Sequence, residues 1–364
     1  MGAYTHMGAR YASLAARLRW LHKCMRTVRM KRSYTYVKLR NALKVCVQHF
    51  FTQPTHVDTH PVRLIVDPTN HCQLSCPLCP TGQGRTERTR GVMPLDAFQR
   101  LLEEEGPYLF DIDFYCWGEP LLNPHLSQMV AQAHKKGIAT SISTHLNHLT
   151  PQMAQDLVQA GLQQCVVSMD GTTQETYAVY RKGGVLEKVL RHTLLLQETK
   201  KRLGSQTPHI VWQFIAMQHN AHETAQAHRC YRRWGFDALE IKPVRCDMAD
   251  EPLKTEAEKT QSAQPWMPSQ ETLQRYNPHT QKRHYAPKKC LFLWTQAVLH
   301  PNGSVSPCCA TYHPQHDIAN AFENGFAAAW NHKRYQQLRE QVRTRNTQPH
   351  NPCASCIRHG FLEY

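Results

Sequence analysis

From residue 63 onward the chain alternates between two hydrophobic periods, and no other feature constrains its fold as strongly. The stretches "RLIVDPT" (63–69), "LFDIDFYCW" (109–117), "ATSISTH" (139–145), "QQCVVSMD" (163–170), "HIVWQFIAMQ" (209–218) and "FDALEIKPV" (236–244) are rich in β-branched and aromatic residues and read as strands. Between them lie "PLDAFQRLLEEEG" (94–106), "HLSQMVAQAHKKG" (125–137), "PQMAQDLVQAG" (151–161) and "NAHETAQAHRCYRRWG" (220–235), which read as helices closing on a glycine. Six such βα units imply an α/β fold on a parallel sheet. At 364 residues and 41% hydrophobic content, there is enough chain for one large domain and a smaller one, each with a core.

The N-terminal arm, residues 1–57, follows a different rule. It holds 11 Lys/Arg and no acid before Asp58, so the remaining chain accounts for only +4 of the net +15. Leu14, Leu18, Leu21, Met25 and Val28 recur at helical spacing with Arg10, Arg17, Lys23 and Arg26 between them. Tyr36, Leu39, Leu43, Val47 and Phe50 repeat the pattern after the break "RMKRS", and Pro54 ends it. Two basic amphipathic helices, with Trp20 central in the first, are therefore expected to meet an anionic membrane surface and bring the rest of the chain to a lipid-linked substrate. Helices that cap the body and keep their arginines in water fit the same pattern. No run of 18 apolar residues and no secretory signal is evident, so the expected location is cytoplasmic, peripheral on the inner membrane face through residues 1–57.

Residues 58–246 form the strand–helix region. Residues 247–289 are polar, Gln- and Pro-rich and aperiodic, which suits a linker or lid, and residues 290–364, with five cysteines, form the smaller domain.

The fourteen cysteines carry the chemistry. In a chain of this size without an export signal, they suit metal ligation or burial better than disulfides. Cys72, Cys76 and Cys79 stand as C-x3-C-x2-C in "NHCQLSCPLCPTG", with no fourth Cys or His nearby at zinc-ribbon spacing. Three thiolates suit a cubane iron-sulfur cluster in which one iron stays open to a substrate or cofactor. Cys290, Cys308, Cys353 and Cys356 make a second set, a pattern that alone suits zinc as well as iron.

The triplet after the first strand resembles that of the radical S-adenosylmethionine (SAM) superfamily, which implies a partial (β/α)6 TIM-like barrel. Gly118, Glu119 and Pro120 follow the second strand where that family places a motif contacting the SAM amino group. Ser143, Thr144 and Asn147 at the third strand, and Ser168 and Asp170 at the fourth, resemble its ribose- and carboxylate-binding positions. Each set falls at the carboxyl end of a strand, where parallel βα architectures build sites. Taken singly, Glu119 also suits a solvated turn and Asp170-Gly171 an ordinary one. Leu78 departs from the family's usual aromatic residue before the third cysteine, which puts adenine packing in doubt and offers Gln213 or Met217 as neighbours.

The second set, C-x12-G-x4-C followed by the "WNHKRYQQLR" helix and C-x2-C, is similar to the SPASM or twitch domain of these enzymes. The resemblance implies one auxiliary 4Fe-4S cluster on four cysteines, with Cys308 preferred over its neighbour Cys309 from the glycine spacing. Cys24, Cys46, Cys116, Cys165, Cys230 and Cys246 read as buried thiols, with Cys116 and Cys246 near enough to the mouth to donate a hydrogen atom.

The implied activity is reductive cleavage of SAM to a 5'-deoxyadenosyl radical. This would be followed by hydrogen abstraction and net oxidation of a small-molecule, sugar-like or lipid-linked substrate, with the auxiliary cluster as electron acceptor and a flavodoxin or ferredoxin as donor. Lys242, Arg181 and Arg245 are candidate substrate-side groups. Peptide or protein maturation of the radical SAM/SPASM type ranks second. A zinc-ribbon nucleic-acid binder ranks last, since it leaves the Trp117–Pro120 and Ser168–Gly171 sets without a role and the basic arm lacks arrayed aromatics, so nucleic acid is not an expected partner.

Overall fold

The computed structural model describes residues 35–245, 264–275, 277, 284, 289–290, 292–346 and 351–360, and residues 36–364 group as one compact unit. The first expected helix of the arm, Cys24 and Cys246 lie outside the described residues.

In chain order the elements are α1 (Tyr36–Val47), β1 (Arg63–Val66), α2 (Leu95–Glu105), β2 (Asp111–Phe114), α3 (Leu126–Lys135), β3 (Ala139–Thr144), α4 (Pro151–Gln159) and β4 (Gln164–Ser168). There follow α5 (Gln174–Tyr180), α6 (Leu186–Arg202), β5 (His209–Ala216), α7 (Thr224–Cys230) and β6 (Ala238–Pro243). The C-terminal part adds α8 (Phe292–Thr295), β7 (Gln296–Leu299), β8 (Val305–Ser306), α9 (Ala321–Asn324), α10 (Phe326–Trp330), α11 (Lys333–Thr344) and α12 (Ala354–His359).

All six expected strands form, and they pair in parallel in sequence order. The sheet is larger than six strands, running β6-β5-β4-β3-β2-β1-β7-β8 without closing. Strand β7 of the cysteine-rich region joins β1 in parallel, Leu64 opposite Ala297, and β8 returns antiparallel. The C-terminal hairpin therefore continues the barrel sheet, and because β8 runs back toward the amino end of β7, Cys308 follows it down to pack, with Cys290, against Ile65, Phe292 and Val298.

Two-residue alternation explains the two faces. Leu64, Val66, Ile112, Phe114, Ile142, Val167, Trp212 and Phe214 point outward into the main core under the helices, all buried. The inner face is polar at its lower end, where Asp113 accepts from Arg63 Nε and Ser141 Oγ. Helix boundaries follow local chemistry. Thr150 and Thr173 cap α4 and α5 with their hydroxyls, and Gly137 and Gly161 take the positive φ that ends α3 and α4. Helices α5 and α6 were not among the expected segments.

The second helix of the arm forms as α1, and it packs on the body by its polar side, unlike a helix that caps the body with its apolar face. Lys38, Asn41, Val45 and His49 are buried, whereas Tyr36, Leu39, Leu43 and Val47 are exposed. The polar inner residues satisfy backbone groups at the amino ends of the strands. Asn41 exchanges two 3.0 Å hydrogen bonds with His60, and Lys38 donates to Gly137 O at 3.3 Å.

Candidate active site

The loop after β1 carries Cys72, Cys76 and Cys79. A turn closes it, with Cys79 N donating to Cys76 O at 3.1 Å, and Leu74 N points at Cys72 Sγ from 3.5 Å. Around the three thiols gather Leu74, Leu78, Tyr180, Ile215, Met217, Val244, Trp266 and Met267, an apolar shell in which Cys76 is buried and Cys72 and Cys79 are partly exposed. Burial pushes the Cys72 thiol up to about 12 and raises that of Cys76. A bound cation would reverse this by displacing the protons. The donor set fits an iron-sulfur cluster: three soft ligands on one loop, an apolar wall, and Arg181 Nη1 3.9 Å from Cys76 Sγ to balance thiolate charge.

The segment after β2 lies directly against this loop. A Cβ on Gly118 would stand 1.8 Å from Thr69 O, so only glycine allows the approach. Glu119 is 1% exposed, which excludes the solvated-turn reading. Its carboxylate accepts from Thr144 Oγ1 at 2.6 Å, His145 N at 3.0 Å and Leu121 N at 3.2 Å. Asp170 is likewise engaged, by Arg181 Nε at 2.6 Å and Ile215 N at 2.7 Å. Asn147 donates to Tyr177 Oη and accepts from Val185 N. Ser143, Ser168, Gln213 and Met217 share the inner face by strand register and alternation. The ten sequence-designated SAM-side residues thus divide in three. Gly118 and Pro120 offer backbone, four share the inner face, and Glu119, Thr144, Asn147 and Asp170 brace the loops through their side chains.

Cys290 just before α8, Cys308 just after β8, and Cys353 and Cys356 at the start of α12 come together. Burial comes first among the causes raising the Cys290, Cys308 and Cys353 thiols, and mutual repulsion within the set adds to it. Cys309 is buried in an apolar group with Ile65, Phe292 and Val298, against which Cys116, Cys290 and Cys308 also pack. Among the described residues, no group of three or more His, Cys, Asp or Glu side chains converges on a single-ion position. Four soft donors on three elements suit an auxiliary cluster held wholly by protein.

Several residues here carried no sequence signal. Asp67 and His300 face each other at the ends of β1 and β7, fully buried, with Asp67 Oδ2 3.7 Å from His300 Nδ1. Burial, offset in part by His300, raises the Asp67 carboxyl. His300 Nε2 meets Ser306 Oγ at 2.7 Å, and Ser306 donates to Asp317 Oδ1 at 2.7 Å. His300, Ser306 and Asp317 are hydrogen-bonded in a row, while Asp67 and His300 Nδ1 stand just beyond hydrogen-bond reach of each other. Arg88, 2% exposed, binds Asp317 through both Nη atoms and reaches Ser304 and Tyr312 O, tying the loop after the triplet to the C-terminal hairpin. Trp266 returns from the 247–289 segment to pack edge-on against Tyr180, centroids 5.4 Å apart.

The candidate substrate-side groups separate. Arg181 belongs to the cysteine triplet, Lys242 pairs with Glu240 on the surface at 3.0 Å, and Arg245 Nη1 lies 4.0 Å from Cys309 Sγ. Cys165 and Cys230 are buried, as expected of small hydrophobic residues, whereas Cys46 and Cys116, expected to be buried as well, are partly exposed.

Comparison with known proteins accords with this geometry. The Radical SAM superfamily model matches residues 66–210, and the SPASM model, an iron-sulfur cluster-binding domain, matches residues 290–357. The chain is 29% identical over 182 residues to the tungsten-containing aldehyde ferredoxin oxidoreductase cofactor-modifying protein of Pyrococcus furiosus, covering 48% of this chain and 49% of that one. It spans about half or less of the length of the first curated relatives it matches. It is 26% identical to the PqqA peptide cyclase of Ruegeria pomeroyi, covering 69% and 68% of the two chains. In fold it resembles Streptococcus suis SuiB bound to S-adenosylmethionine, with TM-score 0.59, 15% identity, and coverage of 90% of this chain and 79% of that one.

Proposed function

Since the chain belongs to the radical SAM superfamily and carries a SPASM domain for a further iron-sulfur cluster, we propose that it oxidises a small-molecule, sugar-like or lipid-linked substrate. The observation that carries this reading is the four-cysteine set. With every position filled by protein, such a site suits electron acceptance better than substrate binding. When bound, the triplet cluster and SAM supply a 5'-deoxyadenosyl radical after one-electron reduction by a flavodoxin- or ferredoxin-type donor.

The chain's own residues supply the rest. Leu74, Tyr180, Met217 and Trp266 line the triplet with apolar surface, so that a reactive radical meets less water on that side. Arg181 and Asp170 fix each other beside Cys76. The oxidation removes a hydrogen atom, then a proton and an electron. The electron is assigned to the four-cysteine site.

A second reading, peptide or protein maturation, is favoured by the resemblance to PqqA peptide cyclase over two thirds of both chains. Extracts of cells grown in deuterated medium, split into metabolite and peptide fractions and supplied to the reconstituted protein with SAM and dithionite, decide between them. Deuterium entering 5'-deoxyadenosine from the metabolite fraction supports oxidation of a small molecule. Entry only from a protease-sensitive fraction overturns it in favour of maturation.

A further inference from the structure

We infer that Tyr335 of α11 donates a hydrogen bond from Oη to a sulfur of the cluster at the four-cysteine site, and that together with Arg339 it raises that cluster's reduction potential. The inference rests on this site holding a cluster, and not on which molecule is oxidised.

Tyr335 is fully buried, and among the described residues its Oη has no hydrogen-bond partner. A buried phenol ordinarily finds an acceptor, because an orphaned hydroxyl has given up its bonds to water without replacing them. In a native fold such a group calls for a ligand or a redox role. Its surroundings point to the cysteines. Tyr335 lies in the core with Trp330, Leu338 and Val342, and Cys290, Cys353 and Cys356 pack against that same core. Burial chiefly raises the Tyr335 phenol above its usual range; Arg339 opposes this, and the charges of Cys290, Cys308 and Cys353 add to it. Three of the four ligands thus act on one hydroxyl, which stays protonated and can donate to a thiolate or sulfide.

Arg339 is a second observation, independent of the first. It is 0% exposed, yet among the described residues it pairs with no carboxylate. Nε donates to Leu293 O at 2.8 Å, Nη2 to Trp330 O at 2.9 Å, and Nη1 to Thr55 O at 3.0 Å and Asn331 Oδ1 at 3.3 Å. Burial lowers it to about 10, so the charge persists at neutral pH. A buried cation without an anion is costly. The anion within its neighbourhood is the cluster with its four thiolates, since Leu293, whose carbonyl takes Arg339 Nε, favours the Cys290 thiolate through its N–H. The guanidinium also lies over the Tyr335 ring at 4.6 Å and the Trp330 ring at 4.7 Å, and the two rings meet edge to face, centroids 4.9 Å apart. These contacts fix the direction of the hydroxyl.

The sign of the effect follows from charge. Reduction adds an electron to a cluster that is already anionic, so a hydrogen bond to its sulfur and a cation nearby both favour the reduced form. The site becomes a better electron acceptor.

The test uses the full chain with both sites reconstituted anaerobically, and follows the reduced four-cysteine cluster by electron paramagnetic resonance through a potentiometric titration. Cys72→Ala/Cys76→Ala/Cys79→Ala, which keeps only that site, identifies its signal. Tyr335→Phe should retain its iron and be at least tenfold harder to reduce, a drop of about 59 mV or more for one electron. Tyr312→Phe, whose hydroxyl donates to Arg85 O instead, should leave the potential unchanged. After reconstitution in heavy water, electron–nuclear double resonance should show a deuteron coupling in wild type that is missing in Tyr335→Phe. A change below twofold at full iron content, an equal shift in Tyr312→Phe, or a coupling that survives in Tyr335→Phe would overturn the inference. Loss of iron from Tyr335→Phe would overturn it in favour of a structural role. A wild type without iron at this site would overturn the cluster itself, an outcome distinct from the others.

Discussion

Arg88 is the residue whose loss should most clearly separate the two cysteine-bearing regions. Its guanidinium makes four hydrogen bonds of 2.8–3.0 Å, two to Asp317, one to Ser304 Oγ and one to Tyr312 O, and none of its neighbours can replace them. Replacing it by methionine keeps the volume but leaves a carboxylate that is only 14% exposed with its cation gone and Ser306 Oγ as its remaining side-chain donor. Removing one partner of a buried pair costs about 3–5 kcal/mol, and the slight exposure of Asp317 favours the lower end. At 1.36 kcal/mol per decade, about 3 kcal/mol is roughly a hundredfold in the local opening equilibrium.

Hydrogen exchange of the intact, cluster-loaded protein reads this directly through Val305 N and Ile318 N, which bond Ala319 O and Val305 O beside the pair. Their exchange should accelerate about a hundredfold in Arg88→Met, while the amides of β4 and β5 stay unchanged. Arg88→Met/Asp317→Asn should recover at least tenfold of the loss, because the stranded charge is gone. A change below threefold in the single variant would refute the reasoning, as would a double variant no better than the single.

Other outcomes follow from the same geometry. Cys308→Ala should lose about four irons on reconstitution, the content of one cubane, whereas Cys309→Ala should keep them, since Cys308 is the one of the two whose charge acts on the Cys353 thiol and which Cys290 and Cys356 act on in turn. Gly118→Ala should lower SAM-cleavage rate at least tenfold, because the added Cβ meets Thr69 backbone that cannot yield as a side chain would. Burial, reinforced by Lys289, lowers His49 from 6.5 to about 4. Folding therefore favours the neutral ring, and its contribution, present above pH 6.5, is lost as pH falls toward 4, by about 3 kcal/mol. Stability measured from pH 7 to 4 should fall less steeply in His49→Gln.

The strands and most helices of the barrel were legible because each faces one core and keeps one period: Leu64, Ile112, Ile142 and Trp212 mark the outer face in sequence as in space. The α1 stripe shows where that rule fails. Leu39 and Leu43 have the spacing of a core face, yet the side that docks is Lys38 and Asn41, because the amino ends of the strands present carbonyls to be satisfied rather than apolar surface to be covered. Spacing also singled out Cys72, Cys76, Cys79 and the C-terminal four, since ligands of one loop or hairpin are close in sequence. Asp67 with His300 and Arg88 with Asp317 lie more than 200 positions apart, and only the pairing of β7 with β1 brings them together.

The central claim is that the three-cysteine loop holds a SAM-binding cluster and the four-cysteine set a second one. It is tested most directly by anaerobic reconstitution with iron and sulfide counting, alongside dithionite-driven formation of 5'-deoxyadenosine from SAM. Wild type should hold about eight irons, and Cys72→Ala/Cys76→Ala/Cys79→Ala about four with cleavage abolished. Stoichiometric zinc with no iron, or cleavage that survives in the triple variant, would contradict it.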